Sequence, residues 1–315
     1  MSLEESIAVG KAPARAESRP RGLTGLARRR YMTAALLLLP AIGLRLFTAV
    51  YPFFHTIYLS FFEYNPAFPP NRFVGLGNFV KLSRDIAVRS SVSFTILFVV
   101  VSTMFQLIFG LLIASLLNSQ FKLRGLARTV NLIPWAIPMV VAAIGFRWMY
   151  DVDYGIINDL LRRVTGFSFP WLIHFWGARV AVIMTNIWKS TPFLAIVFLA
   201  ALQGVPAELY EAARVDGAGR LQTFRFVTIP LVLPQATTMG LFMLVWQLAA
   251  FDLIYSMTGG GPGFATQVLA YNIYREAFGG LNFGYASALS IILFVTVGVL
   301  GSLGLLIYRR VEVMY

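Results

Sequence analysis

The amino-acid sequence predicts an all-α integral membrane protein with six transmembrane helices. Three observations predict it. Of its 315 residues, 58% are hydrophobic and only 13% are charged, whereas soluble domains carry about 25% charged residues. The apolar residues fall into six runs, each close to the roughly 20 residues that a helix needs to cross the hydrocarbon layer. Lys and Arg gather at the ends of those runs, as they do beside membrane spans.

Residues 1–30, rich in Ala, Arg, Gly and Pro, read as a basic cytoplasmic arm lying near anionic lipid. The first run, 32–59, carries one internal charge, Arg45. It is too long for the core of a cleaved signal peptide, and no small-residue cleavage site follows it, so it reads as an anchor. The second run lies in the uncharged stretch 90–121 and the third in 129–146. The fourth spans about 180–202 and is broken only by Lys189; the fifth and sixth fill 226–251 and 277–308. The expected organisation is the arm over 1–30, a six-helix domain over 31–310 and a short cytoplasmic tail over 311–315.

An even number of spans puts both termini on one side. That side would hold fifteen Lys and Arg against seven on the other, which places the termini in the cytoplasm. The loop 61–89, with four basic residues outside, fits this scheme least well.

Several functions are excluded by what is missing. With no Cys there is no disulfide, thiolate metal site or Cys nucleophile. The two His, His55 and His174, are far apart, so no His-based metal site is expected. A net charge of +12 invites a nucleic-acid partner, but basic residues placed at the ends of spans are an orientation signal instead. No paired carboxylates, HExxH or GxSxG suggest an intramembrane enzyme. No GxxxxGK[ST] loop is present, and the glycine-rich 258–263 lacks the Lys and Ser/Thr of a phosphate cradle.

The most informative segment is 205–234, VPAELYEAARVDGAGRLQTFRFVTIPLVLP. Pro206 suits the first position of a helix, and Glu208 and Glu211 suit its early turns. Gly217 and Gly219 would stop it. A cytoplasmic helix of about ten residues should therefore sit between two spans, presenting Glu208, Glu211 and Asp216 to water or to a partner. On its own this is as consistent with a plain connector as with a docking element. However, Glu211-Ala212-Ala213, with Gly217 six residues after Glu211 and then Ile229-Pro230, resembles the EAA loop of permease subunits in bacterial ABC importers. The extended form EAARVDGAG followed by Phe224 is similar to their sugar-importing branch, and the resemblance runs from about residue 35 to 308. It implies the type I importer permease fold, with an EAA coupling loop at about 204–230. There Glu208, Glu211, Ala212, Ala213, Asp216, Gly217 and Ala218 would couple the chain to an ATPase.

Two further stretches extend the resemblance. TGGGP at 258–262, followed by Thr266, Tyr271, Tyr274, Ala277 and Phe278, could be a flexible turn. It is also similar to an external stretch of sugar permeases near the docking place of a binding protein. NIWKSTPF at 186–193 resembles the sugar-lining segment of maltose-type permeases. Asn186, Ser190 and Phe193 share a helix face, with Lys189 beside them. By alignment on TGGGP, Met243, Trp246, Gln247 and Ala250 match sugar-contacting positions, two of which carry asparagine in the maltose permease, where this chain has Gln247 and Ala250. An aromatic plate takes the apolar face of a pyranose while an amide reads its hydroxyls. Helix packing by Trp246 and Phe193, and interhelical hydrogen bonding by Asn186 and Gln247, remain the alternatives. Asp252 could simply be wetted, and Lys189 could pair with another span.

The resemblance implies a transport subunit that works in the bacterial plasma membrane without its own ATPase site. Its partners would be a second permease, two ATPase subunits that hold ATP and Mg, and an extracytoplasmic binding protein or lipoprotein, with no nucleic acid. The same machinery carrying glycerol 3-phosphate or a glycerophosphodiester is the near alternative. An ion-coupled secondary transporter would call for internal repeats and intramembrane acids, and only Asp252 comes near that.

Overall fold

A computed structural model describes residues 25–312. Most of the 1–30 arm and part of the 311–315 tail lie outside the described residues. The chain divides into two units, one reaching His55 and one from Thr56 onward.

The described part of the first unit is helical. Gly25–Arg45 runs through Pro40 into a π-helical turn, Leu46–Val50, and Leu36, Leu37 and Phe47 are exposed. The helix then continues as Tyr51–Ser60, so the first apolar run is one span over Arg28–Ser60.

In the second unit a two-residue antiparallel ladder pairs Phe62 with Phe73 and Glu63 with Arg72. Span two is Ile86–Asn118, started by Asp85, whose side chain accepts from the Ala87 amide as an N-cap. Span four is Phe175–Gln203, capped by His174, whose ring accepts from the Gly177 amide. Span five is Arg220–Leu248 and span six Phe283–Arg310. Spans two and four form the centre. Phe94, Phe98 and Val99 pack with Ala181, Val182 and Ile187 towards one end; Ala114 and Leu117 pack with Leu194, Phe198 and Val232 towards the other. A methyl added at Gly110 would lie 2.9 Å from Leu194 Cβ, the close approach that small residues permit between membrane helices.

The third run is a correction to the sequence expectation of one continuous span over 129–146. It is two helices, Arg124–Ala136 and Met139–Met149, bent by 90°. Pro138 lacks an N–H, and the residue before a proline is forced out of the helical region; Ile137 is extended, at φ −67° and ψ 132°. Among the described residues five helices are long and apolar enough to cross a membrane, and six when the bent pair counts as one. The fourth span also begins five residues before the expected 180, so Arg179 lies inside it.

A second irregularity sits at the base of span five. Between Arg220–Thr223 and Ile229–Leu248 the chain makes a π-helical turn, Phe224–Thr228, in which the Ile229 amide donates to the Phe224 carbonyl. Pro230 follows and cannot donate, which interrupts the regular ladder there.

Candidate functional site

The segment singled out in the sequence forms the helix Ala207–Val215, entered through Pro206 and preceded only by Gly204 and Val205 at the end of span four. Its closure follows from Gly217, held at φ +79°. The Ala218 amide donates to the Ala213 carbonyl (2.9 Å) and the Gly217 amide to the Arg214 carbonyl (3.1 Å), the paired bonds of a Schellman motif. Glu208, Glu211, Ala212, Asp216 and Gly217 are exposed, while Ala213 and Ala218 are half-buried. Val215 and Leu221 are 87% and 79% exposed. Acids and the apolar Val215 are therefore offered together at one short, firmly terminated element, with Leu221 exposed on the helix that follows. Between it and span two lies a cleft of about 530 Å³, lined by Ser115, Asn118, Tyr210, Arg214 and Thr228 among others.

The eight residues expected to meet solute do not form one surface. Asn186 and Gln247 come together: Asn186 Nδ2 donates to Gln247 Oε1 at 2.6 Å. Gln247 Nε2 in turn donates to Thr103 Oγ1 (2.7 Å) and Gln106 Oε1 (3.2 Å), and Gln106 Nε2 donates to the Asn186 carbonyl (3.2 Å). All four side chains are buried, so this amide network ties spans two, four and five together.

Lys189 and Phe193 meet at the break in the third span. Lys189 Nζ donates to the Trp135 carbonyl at 2.6 Å, one of the last carbonyls of Arg124–Ala136, where a helix end attracts a cation. The Phe193 ring stacks on Trp135, with centroids 5.6 Å apart. Asn131 Nδ2 donates to the Pro192 carbonyl at 3.3 Å. Met243 is buried in the apolar cluster against which Phe193 packs. Ser190 and Ala250 are half-buried. Trp246 is 68% exposed and meets only the Phe242 ring, at a tilt, among the described rings.

Thr103, Gln106, Asn131 and Trp135 belong to none of the motifs in the sequence. The first two stand three apart on one face of an apolar span, a signal that polar residues in a span have partners. Trp135 takes part through its carbonyl, which no sequence pattern announces.

The glycine-rich segment beyond span five is not a loose turn. Residues 265–269 are all buried. Thr258 and Thr266 hydroxyls bond at 2.7 Å, and Thr266 Oγ1 also donates to the Gly261 carbonyl at 2.7 Å.

Apolar spans with a short exposed helix between the fourth and the fifth make a multi-pass membrane protein. The chain belongs to the family of binding-protein-dependent transport system inner membrane components, whose model matches residues 106–313, and it is an ABC importer permease. Among its relatives, the sulfoquinovosyl glycerol transport system permease protein SmoG of Agrobacterium fabrum is 36% identical over 84% of this chain and 86% of its own length. The trehalose/maltose transport system permease protein MalF of Thermococcus litoralis is 35% identical over 83% and 88%. The sn-glycerol-3-phosphate transport system permease protein UgpA of Yersinia pestis is 32% identical over 83% and 89%. The fold is also that of a chain in the crystal structure of a bacterial alginate ABC transporter, with a TM-score of 0.78, 24% identity, and coverage of 90% of this chain and 96% of that one.

Proposed function

We propose that this subunit translocates a sugar, a di- or oligosaccharide, delivered by an extracytoplasmic binding protein or lipoprotein and driven by ATP hydrolysis elsewhere. It would act beside a second permease and two ATPase subunits that hold ATP and Mg. Both termini would face the cytoplasm of a bacterial plasma membrane. The fifteen-to-seven asymmetry of basic residues supports that orientation.

The observation that carries the reading is the exposed Ala207–Val215 helix with its Schellman closure. It is rigid enough to be pushed, it joins span four to span five, and its exposed Glu208, Glu211, Asp216 and Val215 suit the docking surface of a motor. Small side chains at Ala212, Ala213, Gly217 and Ala218 let that surface approach closely. Closure of the ATPases would tilt this helix and, through the π-helical turn at Phe224–Thr228, move span five relative to span four.

Sugar is favoured over glycerol 3-phosphate by the state of Lys189. It is the one cation among the eight solute candidates, and its ammonium is already committed to the Trp135 carbonyl, whereas a phosphate would call for a free one. Solute contact is assigned to Ser190, Phe193, Trp246 and Ala250, with Met243, Asn186, Gln247 and Lys189 joining only where the packing and bonds that bury them are exchanged. The test is ATP turnover by the whole transporter in nanodiscs, with binding protein loaded in turn with sugars and glycerol phosphates. Stimulation by a sugar, lost in Glu211→Lys, is expected; stimulation by glycerol 3-phosphate alone would overturn the sugar assignment.

A further inference from the structure

Arg179 is 6% exposed, and among the described residues no carboxylate forms an ion pair with it. Such a charge inside a span is costly and marks a specific task. Its Nε donates to the Ala265 carbonyl at 2.7 Å. Its guanidinium carbon lies 4.3 Å from the Phe175 ring centre, 4.9 Å from Trp176 and 5.3 Å from Phe94, within cation–π range. Ala265 belongs to the glycine-rich loop, at the end of the bundle opposite the Ala207–Val215 helix. Loops normally run over the surface because buried backbone needs partners, yet residues 265–269 are buried.

Two further bonds fasten the loop on the side of span two. Ser90 Oγ donates to the Phe264 carbonyl (2.8 Å) and the Leu269 amide to Thr95 Oγ1 (2.9 Å). Arg179 is the only fastening from span four among the described side-chain bonds. With no acid partner among the described residues, it holds by one charge-assisted hydrogen bond and three ring faces, a grip that a transport cycle can release without stranding a counter-ion.

We propose that Arg179 is a positioning residue that latches the 258–268 loop as a plug over the outer end of the bundle, and that solute entry requires its release. This rests on the importer reading given above. The absence of Cys from the chain makes the test direct. In the complete transporter, Ala265→Cys reports on the loop and Ala143→Cys, equally buried in the central core, reports on the fold. Labelling of this chain by a membrane-impermeant maleimide is read by mass spectrometry.

Arg179→Met should raise the labelling rate at position 265 roughly tenfold or more, the shift expected from losing one charge-assisted hydrogen bond. Position 143 should stay protected, and Arg179→Lys should restore part of the protection at 265. ATP turnover without binding protein should rise in Arg179→Met. Unchanged labelling at 265, or equal exposure of 143 and 265, would overturn the latch. Loss of ATPase binding in the parent protein would instead overturn the importer reading, so the two failures are distinguishable.

Discussion

Replacing Gln247 by Leu should unfasten three spans at once. The side chain accepts one hydrogen bond from Asn186 and donates to Thr103 and Gln106. In soluble proteins each buried group left orphaned costs about 1–3 kcal/mol. Within a membrane the measured value per interhelical bond averages about 0.6 kcal/mol, because the unfolded chain in lipid also finds partners. The lower figure applies here, since all four side chains belong to apolar spans. Three bonds then amount to about 2 kcal/mol.

The assay is reversible denaturation in mixed micelles of the parent, Gln247→Leu, Asn186→Leu and the double variant. The cycle should return a coupling energy between Asn186 and Gln247 of about 0.6–1.7 kcal/mol. If both single variants keep the parent's stability while binding-protein-stimulated ATP turnover falls, the amides are solute ligands rather than fastenings, and this reasoning is refuted.

Other outcomes follow from single contacts. Gly217→Val must place a β-branched residue at φ +79°, which costs about 1–2 kcal/mol; the helix end should fray, and co-purification with the ATPase should weaken while membrane insertion is unchanged. Lys189→Met leaves the Trp135 carbonyl without its side-chain donor, so the thermal midpoint in micelles should drop while membrane insertion is unchanged. Gly284→Ala would drive a methyl into the Phe62 carbonyl oxygen, where the Gly284 amide donates to Tyr64 at 3.2 Å. The thermal midpoint should drop, whereas Gly298→Ala, with open space around it, should leave it within a degree or two.

The spans were legible because hydropathy averaged over 20 residues is what a bilayer itself responds to. The break in the third span escaped for the same reason. Ile137 and Pro138 are apolar and leave the average untouched, yet the missing N–H and the steric demand on the preceding residue turn the backbone by 90°. Arg179 looked like a boundary because a cation normally ends a span. Here three rings sheath it and a carbonyl receives it, so the helix starts at Phe175 instead. At the candidate solute site the sequence singled out Asn186 and Gln247 but not Thr103 and Gln106, since residues 103 and 106 resemble no motif and only the fold brings them within reach. Which way Trp246 faces is likewise a matter of neighbouring helices, not of spacing along its own.

The two buried cations of span four share a logic. Each lacks a carboxylate among the described residues, and each donates to a backbone carbonyl where a neighbouring segment leaves regular structure: Lys189 to Trp135 at the break in span three, Arg179 to Ala265 in the glycine-rich loop. A carbonyl at a helix end or in a loop has spare acceptor capacity that a regular helix interior lacks. A cation placed there both satisfies the acceptor and fixes the irregular backbone to the span. Span four, two-thirds buried over its apolar window, is thus the frame to which both irregular segments are fastened. It is also the span that runs straight into the Ala207–Val215 helix, with only Gly204, Val205 and Pro206 between. On the proposed importer reading, a displacement of that helix would reach the third-span break and the far loop through one continuous, well-packed element, without a separate route to each.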